Sequence, residues 1–201
     1  MTTATPDLNL NHEPGHIKHD GHNLTGFIIF LCSESIIFLA FFSGFALLKL
    51  TSPEWLPEGV EGLETRLPLI NTIILVSSSF VAYFAERCLH KKNLWGFRGF
   101  WLLTMAMGTY FVYGQYVEWA ELPFSLTSGV FGGTFYLLTG FHGLHVITGI
   151  LLMALMLFRS FLPNNYTRGE MGVTSVSLFW HFVDVIWIIL YVLIYVWQRH
   201  T

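Results

Sequence analysis

Five ionisable side chains interrupt long apolar stretches of this sequence, where their types and spacing are suited to chemistry. They are Glu34 in SESIIF, His142 and His145 in GFHGLHVITG, and His181 and Asp184 in FWHFVDVIW. The two members of each close pair are three residues apart, so each pair shares one face of a helix. Histidine binds metals and haem and carries protons, and carboxylates bind metals and protons. These residues therefore define the candidate site.

The segments that carry these residues are those of a membrane protein. Of 201 residues, 53% are hydrophobic and 11% are charged, whereas an average soluble domain is about 25% charged. Five continuous apolar segments have the ~20 residues needed to cross the hydrocarbon core; they are about 24–50, 67–90, 94–118, 130–160 and 173–199. We predict an all-α membrane protein with one domain over 24–201, a bundle of five transmembrane helices that follows a polar tail over 1–23.

Basic residues predict the orientation of this bundle. Seven fall on the side of the N-terminus, namely Lys18, Arg87, Lys91, Lys92, Arg98, Arg159 and Arg168, and three on the other side, namely Lys49, Arg66 and Arg199. Because cytoplasmic loops carry the excess of lysine and arginine, the N-terminus is predicted inside and the C-terminus outside. The net charge of −3 leaves no basic surplus for binding nucleic acid.

The remaining candidate metal ligands give weaker signals. The tail contains His12, His16, His19 and His22, and without a matched ligand set we interpret it as a polar tail rather than a metal site. The two cysteines, Cys32 and Cys88, are far apart and are predicted to be free thiols.

Helical rise places three of the ionisable residues at a similar depth. At ~1.5 Å per residue, Glu34 and Asp184 each lie about 15 Å from the inner ends of their spans, and His145 lies near the same level. Four interpretations compete: a metal site, haem ligation, a proton or ion path, and interhelical hydrogen bonds. No span contains the Glu-x-x-His pairs of a di-iron bundle. The structural interpretation is favoured, because buried polar groups are usually satisfied by one another.

Two further groups of residues complete the prediction. Gln115 and Glu118 lie at the outer end of the third span, in GQYVEW, and add polar groups there. Small residues in the fourth span predict close helix packing; they are Gly129, Gly133, Gly140, Gly143 and Gly149.

The long runs FSLTSGVFGGTFYLLTGFHGLHVITG and SLFWHFVDVIWIILYVLIYVW, with SESIIF and QYVEW, resemble subunit III of the haem–copper terminal oxidases. The match runs through all five spans and is closest to the five-helix bacterial form. The resemblance implies a non-redox subunit with no catalytic centre, metal or small-molecule substrate of its own. It implies docking on subunit I beside subunit II, the partners that hold haem and copper, in a bacterial cytoplasmic or internal respiratory membrane.

The resemblance also implies roles for single residues. Glu34 corresponds to the intramembrane glutamate of the family, and the histidines with Asp184 match signature positions that are not metal ligands. Arg159, with Arg98, is placed to meet the phosphate of a structural phospholipid. The family is expected to support proton uptake and the stability of subunit I. A cytochrome c oxidase is favoured, a quinol oxidase stays open, and an independent haem-binding or ion-conducting membrane protein is the alternative outside the family.

Overall fold

The structure, a computed structural model, describes residues 20–53, 55–56, 62–162, 166 and 170–197, with side chains from residue 24 onward. The four tail histidines lie outside the described side chains. The described part of the chain contains five α-helices: α1 Asp20–Thr51, α2 Arg66–His90, α3 Leu94–Glu121, α4 Gly129–Arg159 and α5 Met171–Tyr191. A π-helical turn, Val192–Val196, continues α5. The predicted all-α bundle of five helices is confirmed.

Helix boundaries follow the predicted spans closely, with α1 starting inside the predicted tail. By length and composition, four helices are able to cross a membrane: α1 from Leu24, α2, α4, and α5 together with its π-helical turn. The third helix is 28 residues long but carries more polar side chains, among them Thr109, Gln115 and Glu118. Its crossing of the membrane, like the orientation of the termini, stays a prediction.

Four of the helices form a closed ring, and the first helix lies outside it. α2 packs on α3, α3 on α4, α4 on α5, and α5 returns to α2, whereas α1 packs only along α5 and α4 among the larger contacts. A short turn joins α2 to α3; in it Lys92 takes a positive φ of 59°, and the Asn93 side chain accepts a hydrogen bond from the Gly96 amide at 3.0 Å. Lipid offers no hydrophobic force between helices, so packing and polar contacts must hold this ring together.

Aromatic side chains fill the interior of the ring. Trp180 is fully buried, and its indole lies against the backbone of two glycines, Gly108 and Gly149, where a Cβ atom would collide with the ring. Trp101 and Trp187 are equally buried. Large rings opposite small residues let the helices approach closely, which increases the van der Waals contact that stabilises a bundle in lipid.

Several hydroxyl groups inside the helices donate to carbonyl groups of their own helix. Ser35 donates to the Leu31 carbonyl at 2.8 Å, and Thr139 donates to the Phe135 carbonyl at 2.7 Å. Such bonds to the preceding turn let serine and threonine sit in an apolar segment at little cost. Both cysteines are free thiols, as predicted.

Candidate functional site

Glu34 and His145 form a direct contact between α1 and α4. Glu34 Oε2 lies 3.2 Å from His145 Nε2, and both side chains are mostly buried. The other imidazole nitrogen, Nδ1, lies 2.8 Å from the Phe141 carbonyl oxygen. A carbonyl only accepts, so Nδ1 must carry a proton. One further proton is then shared between Glu34 and Nε2, which makes the contact either a neutral carboxylic acid with a neutral imidazole or an ion pair.

His181 and Asp184 meet a serine of α2. The Ser79 hydroxyl donates to Asp184 Oδ2, and His181 Nδ1 lies 2.9 Å from the same hydroxyl oxygen. A hydroxyl has one proton, and Ser79 gives it to Asp184, so His181 Nδ1 must be the donor to Ser79. This fixes the tautomer of His181 and joins α5 to α2 through three polar side chains.

Two tryptophans extend the contact between α5 and α2 along the helix axes. Trp180 Nε1 donates to Ser78 Oγ at 2.8 Å, and Trp187 Nε1 donates to Thr72 Oγ1 at 2.9 Å. Together with the bond between Ser79 and Asp184, these bonds join a row of indole and carboxyl groups on α5 to a row of hydroxyl groups on α2. Each interhelical hydrogen bond in a membrane contributes about 1 kcal/mol, so the row fixes the register of the two helices.

Gln115 and Glu118 lie together at the end of α3, as expected from their spacing. Gln115 Nε2 donates to Glu118 Oε2 at 2.9 Å, and the Tyr195 hydroxyl donates to Glu118 Oε1 at 2.7 Å. All three side chains are buried. Because Tyr195 belongs to the π-helical turn, this contact ties the end of α3 to the continuation of α5.

His142, in contrast, makes no hydrogen bond within the described part of the chain. Both ring nitrogens are buried, and the ring lies between Phe111, whose centroid is 5.7 Å away, and Trp187, at 4.9 Å. His142 and His145 therefore differ in environment although they share a helix: His145 bonds to Glu34, and His142 packs among aromatic rings.

The five predicted site residues therefore fall into three local groups. Of the three placed in one layer, hydrogen bonds join Glu34 to His145, while Asp184 bonds to Ser79. Within the described residues, these bonds do not join Glu34, His145 and Asp184 into one connected set. Likewise, within the described ranges no group of three or more His, Cys, Asp or Glu side chains is arranged to hold a metal ion.

The glycines of α4 have different surroundings. A Cβ on Gly149 would lie 2.8 Å from Trp180, and one on Gly140 would lie 3.3 Å from Trp119. A Cβ on Gly133 would be near only the Leu126 carbonyl. A Cβ on Gly129 or Gly143 would have nothing within 4 Å in the described chain. Gly129 instead has a φ of +79° at the start of α4, a conformation that favours glycine.

Basic side chains lie where α3 begins and α4 ends, and they contact other groups of the protein. Arg98 Nε donates to Ser160 Oγ at 3.1 Å, and Arg98 Nη2 donates to the Ser160 carbonyl at 2.5 Å. Its guanidinium also lies over the Phe161 ring at 4.2 Å. Arg159 is half-buried beside these residues. Arg98 therefore caps the end of α4, where carbonyl groups lack helical partners.

Tyr166 completes the cap of α4 from the following loop. Its hydroxyl donates to the Met156 carbonyl at 2.6 Å. Burial raises the pKa of the Tyr166 hydroxyl, and the positive charges of Arg159 and Arg98 act in the opposite direction. A raised pKa keeps the hydroxyl protonated, which it must be to donate this bond.

Six polar residues of the structure were not singled out as site residues from the sequence. Ser79 and Tyr195 bond to predicted residues, Thr72 and Ser78 bond to tryptophans of α5, and Asn71 and Lys49 are buried. The run Ser77-Ser78-Ser79 inside a span was visible, and polar residues in lipid point inward by default. Lys49 is buried, and its Nζ donates to the Trp197 carbonyl at 3.1 Å. No sequence pattern predicts this contact.

Comparison with known proteins shows which family the sequence is similar to. The sequence model of the family described as cytochrome c oxidase subunit III matches residues 10–199. A protein of Synechocystis named cytochrome c oxidase subunit 3 is 42% identical over 199 residues, which cover 96% of this chain and 85% of the relative. A Thermostichus vulcanus protein of the same name is 42% identical over 90% of both chains. The same-named protein of Scyliorhinus canicula is 39% identical over 86% of this chain and 68% of its own length. The chain belongs to the cytochrome c oxidase subunit III family.

Proposed function

We propose that this chain is a non-redox, structural subunit of a proton-pumping cytochrome c oxidase. It docks on subunit I, next to subunit II, and supports proton uptake and the stability of subunit I. One observation carries the proposal: the intramembrane acids, Glu34, Asp184 and Glu118, are bonded to partners on other helices of the same chain. Groups engaged in this way hold a bundle in one arrangement.

The same contacts argue against the alternatives outside the family. A haem ligand needs an imidazole nitrogen that points into an open space, whereas the His142 ring is enclosed by Phe111 and Trp187. His145 has both ring nitrogens engaged, Nδ1 with the Phe141 carbonyl and Nε2 with Glu34. The names of the relatives favour cytochrome c over quinol as the electron donor of the complex.

A phospholipid is the second partner in this proposal. Arg98 and Arg159 lie where α3 begins and α4 ends. In the same region, Trp95 is 82% exposed and Phe161 is 62% exposed. Exposed tryptophan beside arginine is typical of the boundary between lipid headgroups and acyl chains. The proposed orientation puts this end on the inner side of a bacterial cytoplasmic or internal respiratory membrane.

Purification through a tag on this chain tests the proposal. In a mild detergent, we expect the tagged chain to bring with it a haem-bearing polypeptide and a second subunit with a Cys, His and Met copper-ligand set. The complex should oxidise reduced cytochrome c. After dissociation, the isolated chain should show no Soret band. A redox-active Soret band that stays with the isolated chain would refute the structural assignment, and a second subunit without copper ligands would indicate a quinol oxidase.

A further inference from the structure

A pocket of about 200 Å³ lies at the end of the bundle where α2 begins and α3 ends. Its wall comes from the loop before α2, the first turn of α2, the last turn of α3 and the residues that follow α3. Two of its residues, Glu64 and Glu121, are exposed, so the pocket opens toward the aqueous side of this end. Leu67 and Pro68 of α2 also line it.

Glu118 forms the inner part of the pocket wall. It is 7% exposed and accepts one hydrogen bond at each oxygen, from Gln115 and from Tyr195. A carboxylate has about four acceptor positions, more than these two bonds use, and Glu118 is one of the residues that line the pocket.

Three more polar atoms lie one helical turn below this wall without a partner in the described chain. They are both amide atoms of Asn71 and the Oε1 atom of Gln115. Asn71 is three residues after Pro68, a pocket residue, and its amide occupies the space where a Cβ of Gly114 would be. Gly114 is adjacent to Gln115 and one turn before Glu118. Each amide is thus connected to the pocket wall by a different route: Asn71 lies one turn after Pro68 on α2, and Gln115 is bonded to Glu118.

The chemistry of these atoms selects the ligand. Asn71 Nδ2 needs an acceptor, whereas Asn71 Oδ1 and Gln115 Oε1 need donors. A metal cation would suit the two oxygens but not Nδ2, and an anion would be repelled by Glu118. Water both donates and accepts, and buried waters in proteins typically bond to two to four such groups. The pocket has room for several water molecules.

We propose that the pocket holds a cluster of ordered water molecules that bonds to Glu118 and extends inward to the amides of Gln115 and Asn71. The cluster connects the buried carboxyl of Glu118 with the aqueous phase at this end of the bundle. It also supplies the donors and the acceptor that the described residues do not provide there, and so removes the cost of burying two incompletely bonded amides.

Hydroxyl-radical footprinting of the assembled oxidase tests this proposal. Synchrotron radiolysis makes radicals from ordered water in place, so a side chain beside such water is oxidised although it is buried. Tyr195 is 1% exposed and bonds to Glu118. We expect its oxidation rate, corrected for intrinsic reactivity, to exceed severalfold that of Trp101, which is 0% exposed and donates to the Met153 carbonyl. Equal, slow rates at the two residues would overturn the proposal.

Two variants make the test specific to the pocket. Asn71→Leu removes both amide atoms and keeps the number and branching of side-chain heavy atoms, and Leu67→Phe fills space in the pocket. Each should lower the oxidation of Tyr195 severalfold and leave Trp101 unchanged. If Tyr195 is oxidised as fast in both variants as in the unaltered chain, the radicals do not come from this water and the proposal fails. If a variant does not assemble, the comparison of Tyr195 with Trp101 in the unaltered oxidase decides.

Discussion

Replacement of Gly108 by alanine should destabilise the bundle, because Trp180 occupies the space that the new methyl group needs. The nearest atoms to a Cβ on Gly108 are Cη2 and Cζ2 of this indole. The ring is confined on its other side by Gly149, and its Nε1 is bonded to Ser78. Since the ring is confined on both sides, the substitution must separate α3 from α5 or break the bond to Ser78.

The size of this destabilisation follows from a comparison with the same substitution at a matched glycine. Gly143 lies in α4, and a Cβ there would meet nothing within 4 Å in the described chain. Both substitutions gain the helix propensity of alanine over glycine, about 1 kcal/mol, so this contribution cancels in the difference. The remaining cost is that of overpacking, typically 1–3 kcal/mol. For a chain of this size it corresponds to a midpoint roughly 2–12 °C lower for Gly108→Ala than for Gly143→Ala.

Unfolding of the chain in a mild detergent, followed by circular dichroism during titration with sodium dodecyl sulfate and during heating, measures this difference. Equal stability of the two variants would refute the argument that Trp180 closes the interior. Adding Trp180→Phe, which shortens the ring, supplies a second check. The double variant Gly108→Ala, Trp180→Phe should be less destabilised than the sum of the two single variants, because the smaller ring leaves room for the methyl group.

Three further substitutions, one of them with a matched control, test the polar contacts and the lipid contact. Ser79→Ala leaves Asp184 without a donor and should cost about 1–3 kcal/mol of unfolding free energy, whereas Ser77→Ala, whose exposed hydroxyl bonds to its own helix, should cost almost nothing; similar losses in both would contradict the interhelical role. Glu34→Ala should leave proton pumping in place and shorten the lifetime of the oxidase during turnover, and a complete loss of pumping with assembly intact would instead make Glu34 an obligatory proton carrier. Arg159→Ala should lower the phospholipid retained after purification, measured by mass spectrometry, and an unchanged lipid content would count against lipid binding there.

The five helices were predictable from the sequence because their cause is local. A membrane leaves no water for the backbone, so each long apolar run must form a helix, and run length sets its limits. The partners of the polar residues depend instead on which helices are neighbours. Ser77 and Ser79 show the difference: they are two residues apart in one span, yet Ser77 bonds to the Ile73 carbonyl and Ser79 bonds to Asp184.

The two histidines of GFHGLHVITG show the same limit. Three-residue spacing correctly places them near one face of α4, but a small rotation about the helix axis separates their surroundings. His142 is 0% exposed and packs in the ring of four helices, whereas His145 lies at the contact with α1. Residue type and spacing predicted that these side chains would be polar groups inside a bundle. To predict which of the two forms hydrogen bonds, one must know that α1 lies on the outside of the ring.

The position of α1 gives its polar contacts particular weight. It lies outside the closed ring and packs only on α5 and α4 among the larger contacts, with aromatic rings such as Phe38 against Phe141 at 5.2 Å. Because lipid competes equally well for these apolar surfaces, burial alone does not hold α1 in place. Polar contacts at different depths help to define its position, among them Glu34 with His145, and Lys49 with the Trp197 carbonyl. Two separated points fix both the height and the tilt of a helix, whereas one point would leave it free to pivot.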